Sequence, residues 1–303
     1  MGSEVLVILA AGAGRRFGGG KQLSPVGPGG EVLMDYTMYW ACQAGFRRVV
    51  VVTRSELDTA MREHFFSPSP SSIPSPSSVA PVELVHQPPG RAGTVPALLA
   101  ARPSVGDEQF AVVNADDLYP LEALVALRRW DGPGHAVLGF HLAATLLPGV
   151  DTGPVNRALC DVAGGDDHRL VRLIETGVTR RNRRFVVGRG PEKGEYGASV
   201  ALEEQLLSGE QLVSMNSWAF RPSIWDDLET EAEREVHGDV DGELLLPTAI
   251  GALVARGATR VTVVPIEGSC VGVTWARDLE TMRALVRDGV ASGQLPARIE
   301  VGP

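Results

Sequence analysis

Three groups of residues in this chain have types and spacings that could do chemistry. The first is the stretch Leu9-Ala10-Ala11-Gly12-Ala13-Gly14-Arg15-Arg16-Phe17-Gly18-Gly19-Gly20-Lys21. Glycines let a backbone come close to a polyphosphate and turn its N–H groups inward, and Arg15, Arg16 and Lys21 add cations for phosphate oxygens. The second is Asp116-Asp117, which follows the apolar run Phe110–Asn114. Ligands in open α/β sheets gather at the carboxyl ends of strands, so the position suits a site. Adjacent side chains on an extended segment point opposite ways, so both carboxylates need not hold one metal ion. Capping of a helix that starts near Leu121 is the other use for such a pair. The third group lies in the second half. Glu175 closes the run Leu170–Glu175, Arg180 to Arg184 is a basic cluster, and Asn216 interrupts an apolar run. A buried Asn needs a hydrogen-bond partner, from a ligand or from the protein itself. The basic cluster is either an anion contact or a solvated turn.

Other chemistries fit less well. A Walker A loop needs Ser or Thr after Gly-Lys, but Gln22 follows Lys21, and Arg15 stands where that loop needs Gly. A dinucleotide fingerprint needs Gly at the position held by Phe17, and the second strand ends in Thr53-Arg54 rather than in an acidic residue. The six histidines form no H-x-x-x-H or His/Cys cluster, which argues against zinc. No G-x-S-x-G elbow is present, which argues against a serine hydrolase.

Those residues need elements to hold them. Val5–Leu9 is an unbroken apolar run, the pattern of a strand buried on both faces. A helical pattern spans Met34–Ala44 and stops at Gly45, and Arg48–Thr53 is a second buried strand. Strand, helix, strand in this order predicts a βαβ unit and a parallel sheet. Strands are also expected at Val82–His86 and Phe110–Asn114, and helices at Thr94–Arg102 and Leu121–Trp130. Ser67–Pro81 holds seven Ser and five Pro, the composition of an exposed, mobile loop. The second half is less regular. Its expected strands are Ala136–Leu142, Ala158–Val162, Leu170–Glu175, Gln211–Phe220 and Arg260–Ile266, and its expected helices are Leu245–Arg256 and Asp278–Gly289. No clean linker divides the chain, which predicts one α/β domain over residues 1–303.

Composition narrows the function classes. The 303 residues are 44% hydrophobic and 21% charged, ordinary globular usage, which argues against global disorder and coiled coil. The net charge of −9 argues against a general nucleic-acid binder but leaves anionic small substrates open. Cys42, Cys160 and Cys270 are far apart and in no CxxC pair, the usage of free thiols in a reducing cytosol. Val5–Ala11, the longest apolar stretch, is too short to span a membrane, and Glu4 sits where a signal peptide carries basic residues, so a cytoplasmic location is expected. Lys21 and Lys193 are the only lysines, so Lys21 is kept where arginine is the common choice.

The loop pattern L-A-A-G-x-G-x-R…K resembles the signature of the nucleoside-diphosphate-sugar pyrophosphorylases, the sugar-1-phosphate nucleotidyltransferases. Gly12, Gly14, Arg16 and Lys21 are the matching positions. Lys21-Gln22-Leu23-Ser24-Pro25-Val26 resembles the family's K-x-L-x-P-V continuation, and Gln87 with Gly93-Thr94 resembles its base-recognition segment. Val213–Phe220, Leu244–Pro247 and Gly272-Val273-Thr274-Trp275 are similar to segments of a short-chain branch that lacks a C-terminal β-helix. The resemblance implies a Rossmann-like, GT-A-like fold with a mixed, mostly parallel sheet flanked by helices. It implies a nucleotide-binding half (1–140) and an acceptor-binding half (141–303). It also implies that Asp116 coordinates Mg2+ and that Glu175 holds sugar hydroxyls. Two departures stand out. Gly272 occupies the place of a second metal-binding aspartate, and no lysine follows Glu175, which leaves Arg180 as its substitute.

The reaction implied is NTP plus a sugar 1-phosphate, or a sugar-like cyclitol phosphate, giving an NDP-sugar and pyrophosphate. The acceptor phosphate is already a nucleophile, so positioning and charge stabilisation suffice. On this reading Arg16, Lys21 and Asp116 are catalytic, and Ala11, Gly12, Gly14, Arg15, Gln87, Gly93 and Thr94 bind the nucleotide. Gly153, Glu175, Arg180 and Asn216 bind the acceptor. The partners expected are these small molecules, without nucleic acid or membrane; a homo-oligomer is compatible. The alternatives are a molybdopterin-type nucleotidyltransferase and a non-catalytic NTP- or sugar-nucleotide-binding protein on the same scaffold. A glycosyltransferase of similar fold is disfavoured by the L-A-A-G-x-G-x-R loop.

Overall fold

The computed structural model describes residues 2–12, 17, 20–66, 81–90, 92–148, 155–165, 167–181, 184–188, 205–236 and 242–299. Gly14, Arg15, Arg16, Gly153 and most of the Ser/Pro stretch lie outside these residues. In chain order the strands are β1 (Val5–Leu9), β2 (Arg48–Thr53), β3 (Val82–His86), β4 (Phe110–Asn114), β5 (Asp117–Leu118), β6 (His135–His141) and β7 (Val155–Val162). They continue as β8 (Leu170–Arg181), β9 (Arg184–Gly188), β10 (Gln205–Leu207), β11 (Leu212–Ser214), β12 (Trp218–Phe220), β13 (Val261–Ile266) and β14 (Val271–Gly272). The helices are α1 (Leu33–Ala44), α2 (Asp58–Phe66), α3 (Thr94–Ala100), α4 (Arg102–Val105), α5 (Leu121–Arg129), α6 (Ile224–Val236), α7 (Leu246–Ala255) and α8 (Asp278–Ala291).

One large sheet runs β10-β9-β8-β7-β11-β6-β12-β4-β1-β2-β3, with β13 alongside β6. Pairing is parallel among β4, β1, β2 and β3 and antiparallel from β12 through β10. The apolar run of β1 explains the parallel part. Val5, Val7 and Leu9 enter one core, with α3, α6 and α7, while Leu6 and Ile8 enter the other, with α1, α2 and α5. A strand covered on both faces has no polar side, as its sequence shows. The layers are therefore helix, sheet, helix, the mixed α/β architecture expected from the sequence.

Several expected boundaries shift. The helix expected over Thr94–Arg102 ends at Ala100, and a short second helix starts at Arg102 with Pro103 in its first turn. The single strand expected over Gln211–Phe220 is two, β11 and β12, separated by Met215–Ser217. Asn216 breaks it with a left-handed backbone, φ 55°. The helices α2 and α6, the hairpin partners β9 and β10, and the small β5–β14 pair are additions to the sequence reading. Asp117 does not cap α5, whose N-cap is Pro120. Arg277 is the N-cap of α8, and the Asp278 carboxylate in its first turn accepts from the Thr274 and Trp275 N–H groups at 3.2 and 2.8 Å.

The break at Asn216 forks the sheet. On one edge of β6, β12 pairs with Ala136 and Val137 while β11 pairs with Phe140 and His141. Beyond the fork β12 leads to β4, and β11 leads to β7 and β8. The ends of β4, β7 and β8 therefore open towards the same gap. Among the described residues no helix is long and apolar enough to cross a membrane.

Candidate functional site

Two clefts open over the carboxyl ends of the parallel strands. One, of about 480 Å3, has Ala11 and Gly12 after β1, Arg54 after β2, Gln87 after β3, and Gly93-Thr94 at the start of α3. The other, of about 240 Å3, sits in the fork of the sheet and includes Asn156, Arg157, Glu175, Asn216 and Gly272. Thr94, Asn114, Asp116, Glu243 and Leu245 line both. Asp116 thus stands where the clefts meet, and the Lys21 ammonium pairs with its carboxylate.

Local structure explains these positions. Lys21 opens a short 3-10 turn, Lys21–Leu23, and Gln22 donates to the Gly12 carbonyl at 2.7 Å, tying the far end of the glycine loop back to its start. Gly93 has φ 126°, and a Cβ there would lie 2.2 Å from the Leu244 carbonyl oxygen. Only glycine fits so close an approach. The Val95 N–H donates to the same carbonyl, and the Leu246 N–H donates to the Thr94 hydroxyl at 2.7 Å. Leu244–Leu246 is in this way clamped to the start of α3.

A chain of hydrogen bonds supports the acidic pair. The Trp218 indole donates to Asn216 Oδ1, the Asn216 amide to Asn114 Oδ1, and the Asn114 amide to Asp117 Oδ2, at 2.8, 2.8 and 2.9 Å. The Tyr119 hydroxyl accepts from the Asn114 N–H at 3.1 Å, donates to the Met215 carbonyl at 2.8 Å, and lies 3.3 Å from Asp117 Oδ2. Asn216 therefore fastens the fork, with both ends of its amide engaged inside the protein, while it also lines the smaller cleft. Asn114 at the end of β4 was not singled out from sequence, and no motif marks it.

Asp117 is buried at 7% exposure, and that desolvation, with the neighbouring Asp116 charge, raises its carboxyl above the usual range; Arg157, Asn114 and Lys21 oppose the rise. Its strand partner in the β5–β14 pair is Gly272. A Cβ at Gly272 would fall 2.0 Å from Asp117 Oδ1 and 3.2 Å from the Asp116 carbonyl. The space that a side chain at position 272 would need is filled by the Asp117 carboxylate. This accounts for glycine there.

Glu175 on β8 lines the smaller cleft, and burial pushes its carboxyl up to about 7 against the pull of Arg157. Arg157 on β7 is a site residue that sequence reasoning missed, because it sits inside an unremarkable strand. It is buried at 8% exposure and donates to the Thr145 hydroxyl (3.1 Å), the Thr145 carbonyl (2.6 Å) and the Asn156 carbonyl (2.7 Å). Arg180 stands apart from both clefts, with its guanidinium on the Leu147 carbonyl at 2.5 Å. Among the described residues no group of three or more His, Cys, Asp or Glu side chains is placed to hold a metal ion. Asp116, Asp117, Glu175 and Glu243 are the carboxylates that line the smaller cleft.

Residues 6–141, just under half of the chain, match the model of the MobA-like NTP transferase domain. Over that span the chain is similar to an NTP transferase domain, in keeping with the resemblance read from the glycine loop. No curated protein matches the chain. Solved structures match nearly its whole length at low identity. The inositol-1-phosphate CTP transferase from T. maritima is 14% identical with a TM-score of 0.60, over 95% of this chain and 98% of that one. A UDP-glucose pyrophosphorylase complexed with UDP-glucose is 15% identical with a TM-score of 0.64, over 94% and 99%. A putative glucose-1-phosphate thymidylyltransferase from Bacillus anthracis is 14% identical with a TM-score of 0.62, over 93% and 95%. The fold is thus that of the nucleotidyltransferases.

Proposed function

We propose that this chain transfers a nucleotidyl group from an NTP to a sugar 1-phosphate or a sugar-like cyclitol phosphate and releases pyrophosphate. One observation carries the reading. A cleft at the glycine loop and a cleft rich in amide and carboxylate groups meet at Asp116, with Lys21 on it. Such a junction suits a donor phosphate on one side and a polyhydroxylated acceptor on the other.

On this reading an acceptor phosphate oxygen attacks the α-phosphorus, the bond from that phosphorus to the bridging β-oxygen breaks, and the electron pair leaves with pyrophosphate. Lys21 would shift from Asp116 to the α-phosphate and the incoming phosphate, where negative charge builds. Arg15 and Arg16 remain the cations proposed for the β- and γ-phosphates. Gln87, Gly93 and Thr94 would face the base. Glu175, Asn156 and Asn216 would face acceptor hydroxyls, and Asn216 would also keep Asn114 and Asp117 in place.

Mg2+ fits the donor set as a proposal. It is a hard cation that takes one or two carboxylates and keeps waters and substrate phosphates. Asp116 would hold it, and Asp117, whose carboxylate occupies the room left by Gly272, would hold it beside Asp116. When bound it would supply charge neutralisation for the triphosphate.

The match of residues 6–141 also suits a molybdopterin-type nucleotidyltransferase. Against that stands the smaller cleft in the second half, whose Asn, Glu and Ser groups suit hydroxyls. The test is pyrophosphate release with Mg2+ across five nucleoside triphosphates and a panel of sugar and cyclitol 1-phosphates, with a molybdopterin acceptor included. Release that requires both nucleotide and sugar-type acceptor is the expected result. Release with the pterin alone would replace this reading with the alternative, and silence throughout with nucleotide binding still detectable would leave an untested acceptor or a non-catalytic nucleotide-binding protein.

A further inference from the structure

Arg54 lines the nucleotide-side cleft, yet neither the loop motif nor the proposed reaction gives it a task. It follows β2 in an extended conformation, φ −109° and ψ 154°, just before a 3-10 turn over Ser55–Leu57. Its Nε is fully buried and has no hydrogen-bond partner. Among the described residues no hydrogen bond or ion pair holds its side chain. The neighbouring acids do not answer it: Asp58 is taken by Arg62 and His86, and Glu56 is exposed at the cleft mouth. A guanidinium carries five N–H donors and no acceptor. Arg54 is only partly buried and lines the cleft, so its outer N–H donors, held by no carboxylate, are left for an acceptor that enters there.

Register says which part of a nucleotide that is. Leu9 of β1 pairs with Asn114 on one side and Val52 on the other, and Thr53 pairs with His86. The ends of the four strands therefore lie in the order Asp116, Ala11, Arg54, Gln87. Strands sit about 4.8 Å apart, so Arg54 lies roughly 10 Å from Asp116 across the sheet. With the α-phosphate at Asp116, that span is taken up by the ribose, and the base comes over Arg54 and Gln87.

Resting on the nucleotidyltransferase reading, we infer that Arg54 is the base-specificity residue and selects a nucleobase with a carbonyl oxygen where its counterpart carries an amino group. A donor-only side chain pairs with the O6 of guanine or the O4 of uracil and thymine. It meets the N6 amino group of adenine or the N4 amino group of cytosine donor to donor. The nucleotides favoured are GTP over ATP and UTP over CTP.

The test is calorimetric binding of GTP, ATP, UTP and CTP to the full chain and to its Arg54→Met and Arg54→Lys variants, with thermal melting to verify folding. Wild type should favour the oxo member in at least one of the two pairs by about tenfold or more. Arg54→Met should erase that gap by weakening the oxo nucleotide alone, and Arg54→Lys should keep part of it. Equal affinity within both pairs in the wild type overturns the inference. So does a gap that survives Arg54→Met, and so does an equal loss for all four nucleotides, which would put the guanidinium on the phosphates. Absence of all nucleotide binding overturns it together with the proposed function. Because the readout needs no turnover, a chain that shows the gap but releases no pyrophosphate would lose the proposed reaction and keep this assignment.

Discussion

Lys21 and Glu175 show how single side chains divide the work. Apart from its ion pair with Asp116, no hydrogen bond or ion pair ties the Lys21 side chain to the other described residues, so its removal should largely spare the fold. Lys21→Ala is expected to cut turnover by about 10^2 to 10^3, the scale of a lost charge-stabilising donor, with a melting temperature near that of wild type. An active variant would remove Lys21 from the reaction. Glu175 carries the opposite signature. Burial raises its carboxyl to about 7, from an ordinary 4.5, so the folded chain binds this proton more tightly than the unfolded chain. Its contribution is favourable below the unfolded value and is lost as pH rises towards about 7. Glu175→Gln should therefore flatten the decline of stability over that window, seen as urea midpoints at several pH values. Parallel curves for the two proteins would show that the charge is compensated elsewhere.

At the level of elements, the small β5–β14 pair governs the acidic site. Gly272→Ala places a methyl 2.0 Å from Asp117 Oδ1, so the carboxylate must move. The cost is expected at about 1–3 kcal/mol by denaturant titration. Asp117→Ala in the same chain should recover much of that loss, because neighbours that share one space do not add. Strict additivity would mean that the two groups do not compete. This arrangement was only half legible beforehand. The motif located both Asp117 and Gly272, but their cross-strand pairing is a long-range fact. The strands β1, β2 and β4 were readable because runs such as Val5–Leu9 bury both faces and leave no ambiguity. Gln211–Phe220 misled for the same reason: an apolar run does not announce that Asn216 will take a left-handed turn. Arg54 and Arg157 flank or sit in ordinary strands, and only the closing of the sheet gives them a cleft. The helix α2 buries just Met61 and Phe65, too sparse a stripe to stand out.

Across the whole molecule, the parallel strands build the larger cleft and the forked antiparallel part builds most of the smaller one. Asn216 is the joint between them. Asn216→Ala removes the amide that bridges Trp218 and Asn114, and a non-glycine, non-Asn residue is strained at φ 55°. We expect about 1–3 kcal/mol of destabilisation, with Asn216→Gly losing less because it relieves the backbone. If alanine and glycine behaved alike, the backbone would not be part of the cost. The insertion of β12 between β4 and β6 also bears on how the chain is made. A ribosome delivers β4 and β6 well before residues 218–220 that join them. Until then Phe110–Asn114 presents an open, apolar edge to its surroundings, the kind of edge that invites association with other nascent chains. The segment 1–141, which contains the stretch similar to the NTP transferase model, is thus unable to complete its own sheet. Expressed by itself it should aggregate, whereas a monomeric, cooperatively melting fragment would show that the edge finds another cover.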